Sequence, residues 1–438
     1  MTQSNHIRNI VSSVSAAAIL AGGSLFAGDY GKVVIDDKAP IEAWSPCDIF
    51  EYGTLYKGDG FIRKVSLNGR YHGQAISQNE TITDPAGNTI RNGYHEWQHR
   101  RFRIGANIAF AGNVTLKTST NISDGSGSGH GLTRAEFFNN WDEFYLDWEP
   151  EHHSDAKAPA KNFVLKYVEL GKQKQTITRE FSTTSRKILT VERSPIVNEV
   201  ADQKPWGVTI GFEFGGIDHE IGGWLLGAGP NGGLNNWPDS RSRGGASYNF
   251  SVEISDATEL FFDYVYVNNS DGLVNGGRAQ NNYQANYEHT FAIGTESEWG
   301  RLGLITDFII GVNREREGDS PWAVERDIPA GNDTWGLVIM PYYDITDKLQ
   351  AVFKYSYMSE GEQQRTQRFA SGVPGDTNYD FYRLNVENYH TIYAGLNYYV
   401  CDHNLKVMAG YEYATGDLYG VAGSVESGTW MLALRTYF

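Results

Sequence analysis

Strict alternation of apolar and polar positions recurs along most of this chain. At the carboxyl end Trp430, Leu432, Leu434, Thr436 and Phe438 fall on one side of an extended strand, and Thr429, Met431, Ala433, Arg435 and Tyr437 on the other, because successive side chains of a strand point to opposite faces. The same period of two marks 65–72, 101–110, 114–122, 144–148, 206–214, 246–254, 302–312, 349–357 and 405–413. Weaker versions occur at 163–173, 218–228, 258–268, 285–295, 333–344 and 388–400. With 429–438 these make sixteen strands, an even number, as closure of a bacterial antiparallel barrel requires. Many are about ten residues long, the length a tilted strand needs to cross a bilayer.

The connections alternate in length. Short turns rich in Gly, Asn and Asp follow Phe110, Phe214, Ile254, Tyr343 and Tyr399, while 77–97, 124–141, 174–204, 229–244, 269–284, 314–332, 359–387 and 416–427 are predicted as long connections. Short on one side and long on the other is the asymmetry of an outer-membrane barrel. The turn at 150–162 is an exception, being too long for the inner side. Only Pro341 falls inside a predicted strand, in keeping with the exclusion of proline from a ladder. A soluble sandwich or propeller would show blade repeats or strands nearer five or six residues, and the chain has neither pattern. The predicted class is therefore all-β, a transmembrane antiparallel β-barrel of about 16 strands with short periplasmic turns and long extracellular loops, spanning 61–438.

Composition sharpens this reading. The 438 residues include 49 Gly, 26 Tyr, 21 Phe and 11 Trp but only 13 Pro, with no linker dividing them. Mean hydropathy is −0.44, which suits a fold whose strands are polar at every second position. The formal net charge of −16 argues against a nucleic-acid partner, since phosphate neutralisation needs surplus Lys and Arg. Residues 11–27, VSSVSAAAILAGGSLFA, carry no charge and follow Arg8, so 1–27 reads as a cleaved export signal. Residues 28–60 form a periplasmic amino-terminal segment. There Ser45, Pro46 and Asp48 predict a helix start, with Ile49, Phe50, Tyr52, Leu55 and Tyr56 on one face, packing at or in the inner mouth of the barrel. Cys47 and Cys401 both fall on the periplasmic side, near the seam of first and last strands, and are expected as unpaired thiols rather than a disulfide.

A more specific pattern lies in 163–214. A Gly-Lys pair ends a strand, and Glu180, the Thr183-Thr184-Ser185 run, Glu192-Arg193 and a Gly-Val strand entry follow. GRYHGQ at 69–74, HRRFRIG at 99–105 and WDEFYLDW at 141–148 precede it in order. Across 61–215 this resembles the phosphate-selective porin O and P family. The resemblance implies a passive channel, a homotrimer, whose third long loop folds into the lumen and narrows it. Carried over by motif, the constriction would draw on Arg70, Arg100, Arg101, Asp142 and Arg186. Arg186 stands where phosphate-binding members have lysine, and a planar guanidinium is not a compact ammonium, so a site tuned for phosphate does not follow.

The residues alone reach part of this picture. Lys or Arg on the lipid face costs about 2–4 kcal/mol near the midplane, so strand charges should face the lumen. Parity then places Arg70, Arg101, Arg103 and Lys117 inside, and the loop at 174–204 adds Arg179, Arg186, Lys187, Arg193 and Lys204. Such a cluster in a narrow channel would concentrate anions. The competing reading is that these are ordinary water-facing charges balancing Asp147, Glu149, Glu180 and Glu192.

Three motifs invite other chemistry. HEWQH at 95–99 fits the H-E-x-x-H zinc pattern, but that pattern needs a helix, and here it leads into a strand on which four residues span about 13 Å. His152, His153 and Asp155 lie in the long inner turn and are expected to be solvated. Asp142 and Glu143 are adjacent on a strand, so one acid is expected in the lumen rather than a catalytic pair. No recognisable nucleophile motif accompanies the Ser and His residues. The expectation is a non-enzymatic outer-membrane porin without cofactor or metal, passing small hydrophilic solutes or anions and embedded in outer-membrane lipid. The alternatives are a structural or adhesive protein anchored by its barrel, and a sugar-permeable porin.

Overall fold

A computed structural model describes residues 45, 47–51, 53–123, 141–150, 163–201, 204–226, 243–268, 287–314, 333–362, 385–418 and 422–438. The predicted export signal, the inner turn with His152, His153 and Asp155, and parts of the outer connections lie outside them.

A short strand, β1 (Thr54–Lys57), precedes sixteen long ones. In order these are β2 (Ile62–Thr83), β3 (Thr89–Phe110), β4 (Val114–Ser123), β5 (Trp141–Trp148), β6 (Phe163–Lys172), β7 (Trp206–Phe214), β8 (Ile217–Leu226) and β9 (Arg243–Ser255). They continue with β10 (Thr258–Val267), β11 (Tyr287–Trp299), β12 (Leu302–Arg314), β13 (Thr334–Asp344), β14 (Leu349–Glu362), β15 (Asn385–Cys401), β16 (Leu405–Leu418) and β17 (Ser424–Tyr437). Each pairs antiparallel with the next, and β17 pairs with β2 from Tyr437↔Arg70 to Ser424↔Thr83. The barrel is closed with sixteen strands, as the alternation predicts.

Orientation follows the same parity. Trp430, Leu432, Leu434 and Phe438 are exposed on the outside, while Met431, Ala433, Arg435 and Tyr437 are buried within. Phe214, Trp299, Tyr343 and Tyr398, at or near the inner ends of their strands, are also exposed. An apolar exterior with aromatics at its rim is how a barrel meets lipid.

Two predicted features differ. The connection expected at 77–97 is instead the upper part of a hairpin, with β2 running to Thr83 and β3 starting at Thr89. Its outer residues (Ser77, Asn79, Thr81) are as polar as its inner ones, so no apolar rhythm betrays the strand. The turn closes on Asp84, whose carboxylate accepts from the N–H groups of Ala86 (2.9 Å) and Asn88 (2.8 Å), with Gly87 at φ 82°, where a side chain would be strained.

The amino-terminal segment is not an apolar-faced helix. Asp48–Glu51 make one 3₁₀ turn, and Leu55 and Tyr56 belong to β1, exposed rather than packed in a groove. β17 stops where Phe438 and Gly69 exchange main-chain hydrogen bonds, and just beyond, Leu67 N–H donates to Gly53 O at 2.7 Å. β1 then pairs with Ser66, Val65 and Lys64. It thereby covers the edge of β2 that β17 leaves open, satisfying groups that would otherwise recruit another chain. Cys47 and Cys401 are joined in a disulfide with Cα atoms 5.4 Å apart, so the expected free thiols are corrected. β1's pairing draws the segment against the turn after β15, within bonding reach.

Candidate functional site: an inserted loop and a basic wall

Between β6 and β7 the chain turns into the lumen, as the third-loop expectation requires. Thr178, at φ 56°, caps a single helical turn α1 (Arg179–Ser182) by accepting from Phe181 N–H. Asp307 of β12 accepts the N–H groups of Arg179 (2.7 Å) and Glu180 (3.0 Å), so the far wall fixes the start of this turn. Ser194 and Pro195 open α2 (Pro195–Val200), whose Ile196 and Val197 are wholly buried. Ile196 packs so closely on β13 that a Cβ at Gly336 would meet its Cγ1 at 2.5 Å. Ile309, Val338 and Met358 complete the apolar contact.

Between the two helical turns the loop is held by cations from the wall. Lys354 Nζ donates to Glu180 Oε1 (3.2 Å), Glu192 O (2.9 Å) and Thr190 Oγ1 (3.4 Å). Lys406 Nζ donates to Ile188 O at 2.7 Å, and Arg435 to Val191 O and Ser185 O. Asn397 and Tyr437 donate to Leu189 O and Ser185 O. Buried cations are tolerated here because main-chain carbonyls and Glu180 replace their water.

The predicted arginines gather on β2 and β3. Arg70 Nη1 donates to Ser185 Oγ at 2.6 Å, and Arg103 pairs with Asp142 and with Asn121. The ladder between β2 and β3 slips by one residue, Gly73 facing His99 while His72 faces Arg101. Arg100 is the extra residue of this bulge, and it reaches inward to grip Glu192 through Nε at 3.0 Å and Nη2 at 3.4 Å. Simple parity would turn Arg100 outward; the bulge brings both members of the double arginine inside. Burial works to raise the pKa of Glu192, but Arg100, Gln74 and Arg101 hold its carboxyl down to about 2. Arg101 has Arg100, Arg103 and Arg193 for neighbours, with Glu192 as the opposing charge.

A second bulge corrects the expectation of one inward acid. Ser119 faces Glu143 while Thr120 faces Trp141, leaving Asp142 as the extra residue. Both acids converge on Lys204 Nζ, at 2.6 and 2.8 Å. Lys117 stands further along the wall, 2.7 Å from Asp147 and over the Tyr145 ring. Arg186 and Lys187 are exposed and lie beside His403 in the turn after β15, so the loop carries them to the inner rim rather than into the Arg101 group. Burial, with these cations and Lys406, lowers His403 to about 4. His95 and His99 lie on β3, paired with Ser77 and Gly73, on a strand as expected.

Sequence reasoning missed the anchoring roles of Lys354, Lys406 and Arg435. Their inward parity was available; their burial under the loop depends on its path, which parity does not report.

No family model matches the chain, and no curated protein sequence does. Among solved structures it is similar to the outer membrane channel DcaP of Acinetobacter baumannii, at 10% identity over 87% of this chain and 99% of that one, with a TM-score of 0.53. It is also similar to OprB of Pseudomonas putida, at 11% identity over 85% and 94%, with a TM-score of 0.52. At such identities the likeness is one of fold. With the closed ladder, apolar exterior and inserted loop, the architecture is that of a porin-like barrel of the bacterial outer membrane.

Proposed function

We propose that this protein is a passive diffusion channel for small hydrophilic solutes, narrowed by the loop at 173–205 and biased toward anions. The observation that carries the bias is the arginine group on β2 and β3, where Arg100, Arg101 and Arg103 stand together with Arg193 around the Glu192 carboxylate. In a confined lumen such a group of cations raises the local concentration of anions. The position of Arg186 and Lys187 at the inner rim favours general anion attraction over a dedicated phosphate site. Export by 1–27 and assembly as a homotrimer complete the reading, the latter by the family resemblance. The channel needs no covalent chemistry.

Reconstitution in planar bilayers under a potassium chloride gradient tests this. The reversal potential should have the sign of chloride preference and should move toward zero in Arg101→Gln. Cation preference in the native protein refutes the anion bias, and a barrel that carries no current refutes the channel in favour of a membrane anchor.

A further inference from the structure

At the inner mouth the amino-terminal segment is held at two ends and gains little between them. One end runs through the turn at 58–61 into β2, and the other is pinned to the turn after β15 by the Cys47–Cys401 disulfide. All four residues of β1 are exposed, and Ile49, Leu55 and Tyr56 are among the exposed apolar side chains, so apolar burial contributes little here. What remains is a short main-chain ladder, in which Gly58 N–H donates to Arg63 O at 3.0 Å and Leu67 N–H to Gly53 O at 2.7 Å. A two-stranded arm of this kind is marginal alone. Its side chains oppose it further. Lys57 stands directly across the ladder from Lys64, both are exposed, and like charges so placed destabilise a strand pair. Neither lysine forms an ion pair among the described residues, and Asp59, the nearest acid in sequence, pairs with Arg63 instead. Lys64 is level with Ala109, which shares a face of β3 with Arg103 and Asn107, so both ammonium groups lie on the lumen side of the wall at its inner end.

The segment is thus closed against its own electrostatics, and the covalent link offsets them. We infer that residues 47–57 form a redox-released strap, closed along the edge of β2 while Cys47 and Cys401 are joined and free to leave it once a dithiol reduces the bond. The oxidising periplasm makes the closed strap the resting state. Cys47 is half-buried and Cys401 is buried, so a thiolate of the reductant reaches the Cys47 sulfur. The sulfur–sulfur bond breaks, Cys401 leaves and takes up a proton, and a mixed disulfide joins Cys47 to the reductant. The second thiol of the reductant then displaces Cys47, so the dithiol departs as a disulfide and its two hydrogens remain on the cysteines. The hairpin of β15 and β16 keeps its own ladder, and the strap alone is released. It carries Lys57 away from the mouth, where Lys64 then stands without it.

The full chain in liposomes, with dithiothreitol as the dithiol, provides the test. Once thiol titration shows both cysteines released, amides of 64–67 should exchange hydrogen several-fold faster than in the oxidised protein, while those of β15 and β16 should not change. Cys47→Ser should show the faster exchange without reductant and no response to it. Lys57→Glu sets opposite charges across the ladder, so after reduction its 64–67 amides should stay slower than those of the native chain. Under a potassium chloride gradient, reduction should shift the reversal potential away from chloride preference in the native chain and leave Lys57→Gln unmoved. That last readout alone rests on the diffusion-channel reading, and a barrel without current leaves the exchange test standing. Exchange at 64–67 that reduction does not alter, equal acceleration throughout the barrel, or a bond that dithiothreitol cannot open in the folded protein overturns the inference.

Discussion

Replacing Lys354 by Met should loosen the inserted loop while leaving the barrel closed. The ammonium is fully buried and its three acceptors all belong to the loop. Met fills much the same space and removes the charge. Glu180, 3% exposed, then keeps the Ser194 N–H, at 3.1–3.2 Å, as its donor in the loop. Removing one partner of a buried ion pair costs about 3–5 kcal/mol, because the other charge stays desolvated. The loss falls on the loop's attachment, since every ladder pair of β14 is main chain. Hydrogen exchange read by mass spectrometry reports it: at about 1.4 kcal/mol per tenfold, amides of 179–194 should exchange roughly a hundredfold to a few thousandfold faster. Barrel amides should be unchanged. Adding Glu180→Gln should recover part of the protection, because removing both charges costs less than stranding one. Unaltered exchange in 179–194, or equal acceleration in the strands, would refute the idea that buried cations pin the loop.

Other expectations concern separate parts of the molecule. The Glu192 carboxyl, held near 2, has its pKa depressed on folding, so its contribution is present above the ordinary glutamate value of about 4.3 and is lost as pH falls toward 2. Because the carboxylate stays ionised in the folded protein until pH nears 2, channel current should stay steady down to that point, and Arg100→Gln should move the onset of unsteady current upward toward about pH 4. Leu432→Arg sets a charge on the lipid face and should lower stability in urea titrations in vesicles by about 2–4 kcal/mol; a negligible change would contradict the assigned orientation. Thiol titration of unfolded, unreduced protein should find no free cysteine, and two reactive thiols would contradict the Cys47–Cys401 link.

The strands were legible wherever lipid lies outside, because it forces an apolar residue at every second position, as in Trp430, Leu432 and Leu434. Above the bilayer that pressure vanishes, and Ser77 to Thr81 look like a loop while forming a ladder. Two-residue parity correctly placed Arg70, Arg101, Arg103 and Lys117, but it has no means of registering the extra residue at Arg100 or Asp142. The resemblance brought Arg100 into the expected site; the bulge supplies the geometry. Loop anchoring and the disulfide were hidden for a different reason. Lys406 meets Ile188 and Cys47 meets Cys401 across separations of 218 and 354 residues, and local pattern carries no information about such encounters.

The bulges at Arg100 and Asp142 also bear on how such a lumen could change over generations. An ordinary substitution can charge only a position that already faces inward. A single-codon insertion at a bulge adds an inward charge while the ladder on either side keeps its partners, as His99 with Gly73 and Arg101 with His72 do across Arg100. Charge could thus be gained or lost in one step, without reversing the lipid-facing and water-facing sides of the strand, and selectivity could drift faster than the barrel that carries it.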